Sequence, residues 1–190
     1  MTSILRPALV LFAALSLICG VFYPYAITGI AQLAFPDQAA GSLISRDGTA
    51  VGSSLIGQAF TSPRYFWGRP SATSPMPNNA GASSGSNQGP TNPALIDAIK
   101  GRVEALKAAD PGNAAPIPVD LVTTSGSGLD PDISIAAAYY QAPRIARERN
   151  LALSAVRGLI DKHGKPQYLA FFGEPRVNVL ALNLALDQRP

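Results

Sequence analysis

Histidine and cysteine each occur once in these 190 residues, as His163 and Cys19. Without a second thiol no disulfide can form within the chain, so packing must supply the stability. Zinc sites of the common His/Cys spacings are excluded on the same count. The aspartate ladder of an EF-hand loop is missing too; a carboxylate-only calcium site stays open at this point, and no metal ligand is assigned. Charge is equally scarce: Asp, Glu, Lys and Arg make up 14% of the chain, against roughly 25% in ordinary soluble domains. Fifteen basic residues against twelve acidic ones leave +3. The basic residues are dispersed, without the Lys/Arg block that binding to nucleic acid requires.

The scarcity of charge has a location. Between Arg6 and Asp37 there is no charged side chain, and residues 8–35, ALVLFAALSLICGVFYPYAITGIAQLAF, are apolar almost throughout. A bilayer core of about 30 Å needs about 20 helical residues, so the run is long enough to span. A cleaved signal peptide has a shorter apolar region, usually about 7–15 residues. The better small-residue cleavage site, Ala39-Ala40-Gly41, lies well beyond the end of the run. Lipidation at Cys19 would want a small residue before it, and Ile18 is not small. The expectation is an uncleaved anchor. Arg6 is the one charge ahead of it, and basic flanks stay cytoplasmic. That places residues 1–7 inside, a transmembrane helix over 8–35 (core span about 10–30 by the same length argument), and residues 36–190 outside. Pro24, between two interfacial tyrosines, is expected to bend the helix or mark its approach to the interface.

The remaining 155 residues suit one compact domain. Residues 41–60 read as a β-hairpin around Arg46-Asp47-Gly48-Thr49, since Asp-Gly is a strong turn dipeptide. Residues 61–91 are dense in Pro, Gly, Ser and Asn, a composition typical of linkers. Tyr65, Phe66 and Trp67 argue instead for an ordered loop packed on the domain. Asn92 and Pro93 open a helix to about Ala109, with Leu95, Ile96, Ile99, Val103 and Leu106 on one face. PVDLV, residues 118–122, reads as a short strand. A second helix is expected from about Ile133 to Arg149, with Ser134 as cap and Pro143 inside it. Asn150 is expected to cap a third helix from Leu151 to about His163, closed by Gly164. Val177 to Asp187 makes a last helix with a Val179, Leu180, Leu182, Leu186 face. The fold class is α+β: one N-terminal transmembrane helix followed by one helix-rich mixed α/β extracytoplasmic domain.

Patterns that resemble catalytic motifs fail on context. Residues 81–85 satisfy G-x-S-x-G, but a nucleophile elbow needs a strand before the serine and a helix after it, with a histidine base nearby. This serine lies in a Pro/Asn-rich loop. Gly158 to Gly164 followed by Lys165 has one residue too many for a phosphate loop, and Pro166 stands where Ser or Thr would hold magnesium. Asp130 and Asp132 precede a helix, where a turn role and the helix dipole account for acids. No catalytic residue is expected.

Nine segments in order carry a family resemblance. They are LRPAL (5–9), YP (23–24), GSLI (41–44), GSSLIGQ with a later Phe (52–60) and YFWGRPSAT (65–73). After these come GSNQGPTNP (85–93), PVDLVTTSGSGLDPDIS (118–134), AAAYYQAPRIARER (136–149) and GEPRVNVLALNLAL (173–186). Together they resemble KdpC, the C-subunit family of the Kdp-type potassium-transporting P-type ATPases. The resemblance implies a non-catalytic accessory subunit of an ATP-driven potassium uptake complex in the bacterial inner membrane. Its partners would be a channel-like subunit and an ATP-hydrolysing subunit, besides membrane lipid. It also implies a chaperone-like role in assembly and a raised ATP affinity of the pump. The complex would use ATP and K⁺, and no cofactor of this chain's own is expected. Arg69, Asn87, Asn92, Asp130, Gln141, Arg144, Arg176 and Asn178 are the candidates for binding partners or for organising the long loop. Arginine forks suit either task, because carboxylates and backbone carbonyls occur on both sides of such a contact. Ser84, Gly85, Gln88 and Gln141 are the candidate nucleotide contacts by the same resemblance. A domain outside the cell would meet little ATP, which counts against that assignment. The competing class is a stand-alone membrane-anchored periplasmic binding or hydrolytic module; stable partners on mild extraction would separate the two.

Overall fold

The computed structural model describes residues 2–169 and 171–188; residues 1, 170, 189 and 190 of the expected segments lie outside these. The chain divides after Val51 into two compact units.

In the first unit, α1 (Thr2–Leu17), a π-helical turn (Ile18–Phe22) and α2 (Tyr23–Ala34) form one helix. From Ile4 to Ala34 it is long and apolar enough to cross a membrane. No part of its apolar window is buried, unlike the core helix of a soluble fold. Pro24 does not end the helix. It cannot donate a backbone hydrogen bond, and its ring would press on the carbonyl four residues back, at Gly20. The turn before it is widened: the Tyr23 N–H reaches Ile18 O, five residues away, the pattern of a π-bulge. After Phe35 comes a single turn, α3 (Pro36–Ala39). β1 (Leu43–Arg46) and β2 (Thr49–Ser53, its last two residues past the division) then form a hairpin at the expected turn, shorter than the expected 41–60: Leu55 and Ile56 lie outside the strand. Its two central residues, Asp47 and Gly48, have φ of +52° and +76°. Both signs match a type I′ turn, which follows the twist of paired strands.

The second unit is helix-rich and closes on a small antiparallel sheet. Its helices are α4 (Pro93–Ala109), α5 (Ile135–Arg149), α6 (Leu153–His163) and α7 (Val179–Asp187). The strands β3 (Asp132–Ser134), β4 (Gly164–Lys165) and β5 (Arg176–Asn178) lie in the order β3-β5-β4. Ile133 pairs with Val177 across the sheet, and both are essentially buried. Ala137, Ala138, Ala142 and Ala146 form the inner face of α5. Side chains this small let Val156, Leu159 and Ile160 of α6 pack closely against that helix, as ridge-and-groove packing requires.

Several expected boundaries move, each for a local reason. The 118–122 segment is not a strand but a 3₁₀ turn, Val119–Leu121. Pro118 has no N–H for a ladder, and Asp120 accepts from both the N–H (2.8 Å) and the hydroxyl (3.2 Å) of Ser134. Ile133 belongs to β3 and α5 starts at Ile135, capped by Ser134, whose Oγ accepts from Ala137 N at 3.0 Å. Asn150 ends α5 and does not begin α6. Its φ is +55°, and the Leu151 N–H returns to Ala146 O at 2.9 Å, a Schellman-type close. α6 therefore begins at Leu153, two residues later than expected. Val177 is a strand residue, and the last helix starts at Val179 under the Asn178 cap. Ile96 turns outward from the α4 face, whereas Leu106 is buried.

Candidate functional site

The aromatic segment 63–67 is held along its whole backbone by side chains from α5 and α7. Asn183, 2% exposed, accepts from Phe66 N at 2.9 Å and donates to Phe66 O at 3.0 Å. Gln141, 1% exposed, repeats the pattern one residue on, with Trp67 N at 2.8 Å and Trp67 O at 3.1 Å. Arg144 donates to Pro63 O, Tyr65 O and the Gln141 side-chain oxygen, at 3.0, 3.1 and 2.7 Å. Arg149 donates to Arg64 O at 2.8 Å. Each of the five carbonyls therefore has a side-chain donor. Primary amides suit this role because one group both donates and accepts, as a neighbouring strand would.

The rings complete the clamp. Phe66 is fully buried, the Arg144 guanidinium lies 4.3 Å from the centre of the Trp67 ring, and Arg149 lies 4.7 Å from that of Tyr65. Stacking of this kind favours the planar, weakly hydrated guanidinium over an ammonium. Tyr65 and Arg149 both reach Asp187, at 3.0 and 2.7 Å. Burial pushes the Arg144 guanidinium well below its ordinary range, to about 10, with Asp110 and Glu148 opposing the shift. It remains charged at neutral pH.

A second group runs along the sheet edge. Arg69 donates to Asp130 Oδ2 at 3.1 Å and Thr124 O at 3.3 Å, while its buried Nε has no hydrogen-bond partner among the described residues. Asp130 Oδ1 accepts from Asp132 N at 3.0 Å. Asp132 in turn receives Arg176 Nε at 2.9 Å and Asn178 Nδ2 at 3.1 Å. Asn178 also donates to Ser54 O and caps α7 by accepting from Ala181 N, both at 3.0 Å. A crevice of about 180 Å³ opens here, lined by Arg69, Asp120, Asp130, Asp132, Glu174 and Arg176 among others. On the other side of Arg69 lies a more apolar hollow of about 380 Å³, walled by Phe60, Trp67, Leu106 and Leu121, with Arg102 at its side. Burial lowers the pKa of Arg102, and its Nη1 donates to Val122 O at 2.8 Å.

The sequence candidates thus separate. Gln141 and Arg144 belong to the clamp, and Arg69, Asp130, Arg176 and Asn178 to the sheet-edge chain. Asn92 is the α4 cap, accepting from Ala94 N at 2.9 Å. Asn87 is exposed, at φ +52°. Of the nucleotide candidates, Ser84 is bound by its backbone to Ser127 O at 3.0 Å. At Gly85 a Cβ would come within 2.8 Å of Gly126 O, so glycine there serves close backbone approach. Gln88 is half-buried, and the Gln141 amide is committed to Trp67. Ser83 of the G-x-S-x-G pattern follows a short 3₁₀ turn and donates to Ser127 O at 2.9 Å. Among the described residues no group of three His, Cys, Asp or Glu side chains could hold a metal ion. Sequence reasoning missed Asn183, Arg149, Asp187 and Asp120, and gave Asp132 a turn role only. Asn183 did leave a signal, as the one polar residue within Val179–Leu186.

Fold and site define a class: a chain with one N-terminal helix able to cross a membrane and one helix-rich α/β domain built around a clamped aromatic loop. Residues 5–188 match the family described as "K+-transporting ATPase, c chain". A protein of Janthinobacterium sp. (strain Marseille) called "Potassium-transporting ATPase KdpC subunit" is 74% identical over 189 residues, covering 100% of both chains. The identically named protein of Herminiimonas arsenicoxydans is 74% identical over 188 residues, 99% of each chain. That of Polaromonas naphthalenivorans (strain CJ2) is 67% identical over 187 residues, 98% of this chain and 95% of its own. The chain belongs to the KdpC family.

Proposed function

We propose that this chain is the non-catalytic accessory subunit of an ATP-driven potassium pump. The pump-subunit reading follows from membership of the family over residues 5–188. In this reading α1 and α2 span the bacterial inner membrane, with the amino end cytoplasmic and the domain periplasmic. The domain engages a channel-like and an ATP-hydrolysing subunit, assists their assembly in a chaperone-like way, and raises the pump's affinity for ATP. That last effect passes through the partner subunits and not through a nucleotide on this chain. Support for this comes from the Gln141 amide, whose bonds to Trp67 leave it no free face for a ligand.

The membrane helix is assigned a share in assembly. Ala13, Ala14, Ser16, Cys19 and Gly20 are small and exposed along it, and nothing lies within 4 Å of a Cβ built at Gly20. In lipid, helices associate through close packing at such positions. Ala13→Leu with Gly20→Leu should weaken co-purification of the partner subunits after mild detergent extraction and leave the chain in the membrane fraction. Undiminished recovery of the complex would reduce the helix to a tether.

A further inference from the structure

The hollow beside Arg69 draws its wall from three pieces of the second unit. Phe60 and Trp67 come from the loop, Arg102 and Leu106 from α4, and Leu121 from the 3₁₀ turn. Its volume of about 380 Å³ is room for a small molecule, since such sites run from roughly 300 to 1,000 Å³. Most of the wall is carbon. Trp67 adds to this, because its Nε1 is already given to Ser62 O at 2.9 Å and Arg144 covers one face of the ring. What the indole still offers the hollow is apolar ring surface.

The described lining residues include two arginines and no carboxylate. Arg69 is neutralised by Asp130 at 3.1 Å. Arg102 is half-buried and has no ion pair among the described residues; burial lowers its pKa and no acid opposes the shift. Its Nη1 donates to Val122 O at 2.8 Å. Nε and Nη2, the other edge of the fork, have no partner among the described residues and are not enclosed. Two parallel N–H groups of this kind match the two oxygens of a carboxylate. A partly desolvated cation without an acid is unfavourable until an anion neutralises it.

We propose that this hollow is a binding site for a small monocarboxylate with an apolar body. The carboxylate sits on the Nε–Nη2 edge of Arg102, and the body lies against Phe60 and Trp67. A single uncompensated cation suits a single negative charge, whereas a polyphosphate would leave its further charges unpaired beside an apolar wall. The hollow lies wholly in the second unit, and the proposal stands apart from the pump-subunit reading.

Trp67 is the sole tryptophan and lines the hollow, so its fluorescence reports occupancy. The full chain in maltoside detergent is titrated with para-bromobenzoate, whose bromine quenches tryptophan at close range, and with the neutral para-bromobenzamide. The acid should quench saturably, and Arg102→Gln should raise its half-saturating concentration about tenfold or more, the loss expected for a charge-assisted pair. The amide should bind the parent as weakly as the acid binds Arg102→Gln. Ala105→Phe keeps Arg102 and puts a ring into the hollow. It should abolish saturable quenching by both compounds, which keeps the test decisive if Arg102→Gln fails to fold. Quenching that rises linearly with concentration, or equally with acid and amide, overturns the proposal. Displacement of the acid by ATP overturns it as well, and so does loss of quenching once partner subunits are bound, since the hollow would then seat a nucleotide or a partner.

Discussion

Replacing Asn183 with leucine isolates what the clamp contributes to the fold. The side chains share a branched shape, so no cavity is left, but leucine's methyl groups are bulkier than the amide and add an overpacking cost of their own. What disappears is the partner of two buried backbone groups, the N–H and C=O of Phe66 at 2.9 and 3.0 Å. Phe66 is 0% exposed, which leaves water no easy route to either group. An unsatisfied buried group costs about 1–3 kcal/mol, so the pair costs about 2–6 kcal/mol. At about 2–4 °C per kcal/mol for a domain of this size, the melting temperature should fall by about 10 °C. Trp67 is the sole tryptophan and the next residue along, so its fluorescence reports the event directly. Asn92→Ala supplies the scale: losing one exposed helix cap costs about 1 kcal/mol, or about 3 °C. Should Asn183→Leu melt within about 2 °C of the parent, by the same conversion, the clamp is not what holds the aromatic loop.

Two further predictions concern charge and topology. Arg144 has a folded pKa of about 10, below its ordinary value. The unfolded chain therefore holds this proton more tightly, and stability from this group rises with pH only between those values. From pH 6 to 9 Arg144 is charged in both states, so melting of the full chain in detergent should show no slope assignable to it, checked as the difference between the parent and Arg144→Met. A difference that varies across that window would contradict the assignment. Alkaline phosphatase fused after Pro190 should be active in a bacterial host, whereas activity only from a cytoplasmic reporter there would invert the topology.

Much of the architecture was legible because it rests on local rules. An uncharged run of this length gave the helix able to cross a membrane, Asp47-Gly48 gave the hairpin, and Asn92-Pro93 and Ser134 gave two helix starts. The three-stranded sheet was not legible. Its strands have three, two and three residues, too few for alternation to register, and Val177 looks helical because it adjoins Val179 and Leu180. Asn150 misled for a related reason: asparagine serves both ends of a helix, and only its positive φ decides which. The arginine and amide candidates of the site were named, but their partners were out of reach. A carbonyl at Pro63 and a guanidinium at Arg144 are 81 residues apart, and no spacing rule connects them. Asn183 was discernible only as a polar break in an apolar helix.

The central claim is that the domain beyond the membrane helix is required by the pump, and is more than cargo on an anchor. The most direct measurement is the potassium-stimulated ATPase rate of the reconstituted complex, with the full chain and with a chain ending after residue 36. The account predicts that truncation lowers the stimulated rate and raises the ATP concentration needed to reach half of it, while the full chain alone hydrolyses no ATP. Equal rates at equal ATP dependence with the truncated chain would contradict it and leave the membrane helix as the only working part.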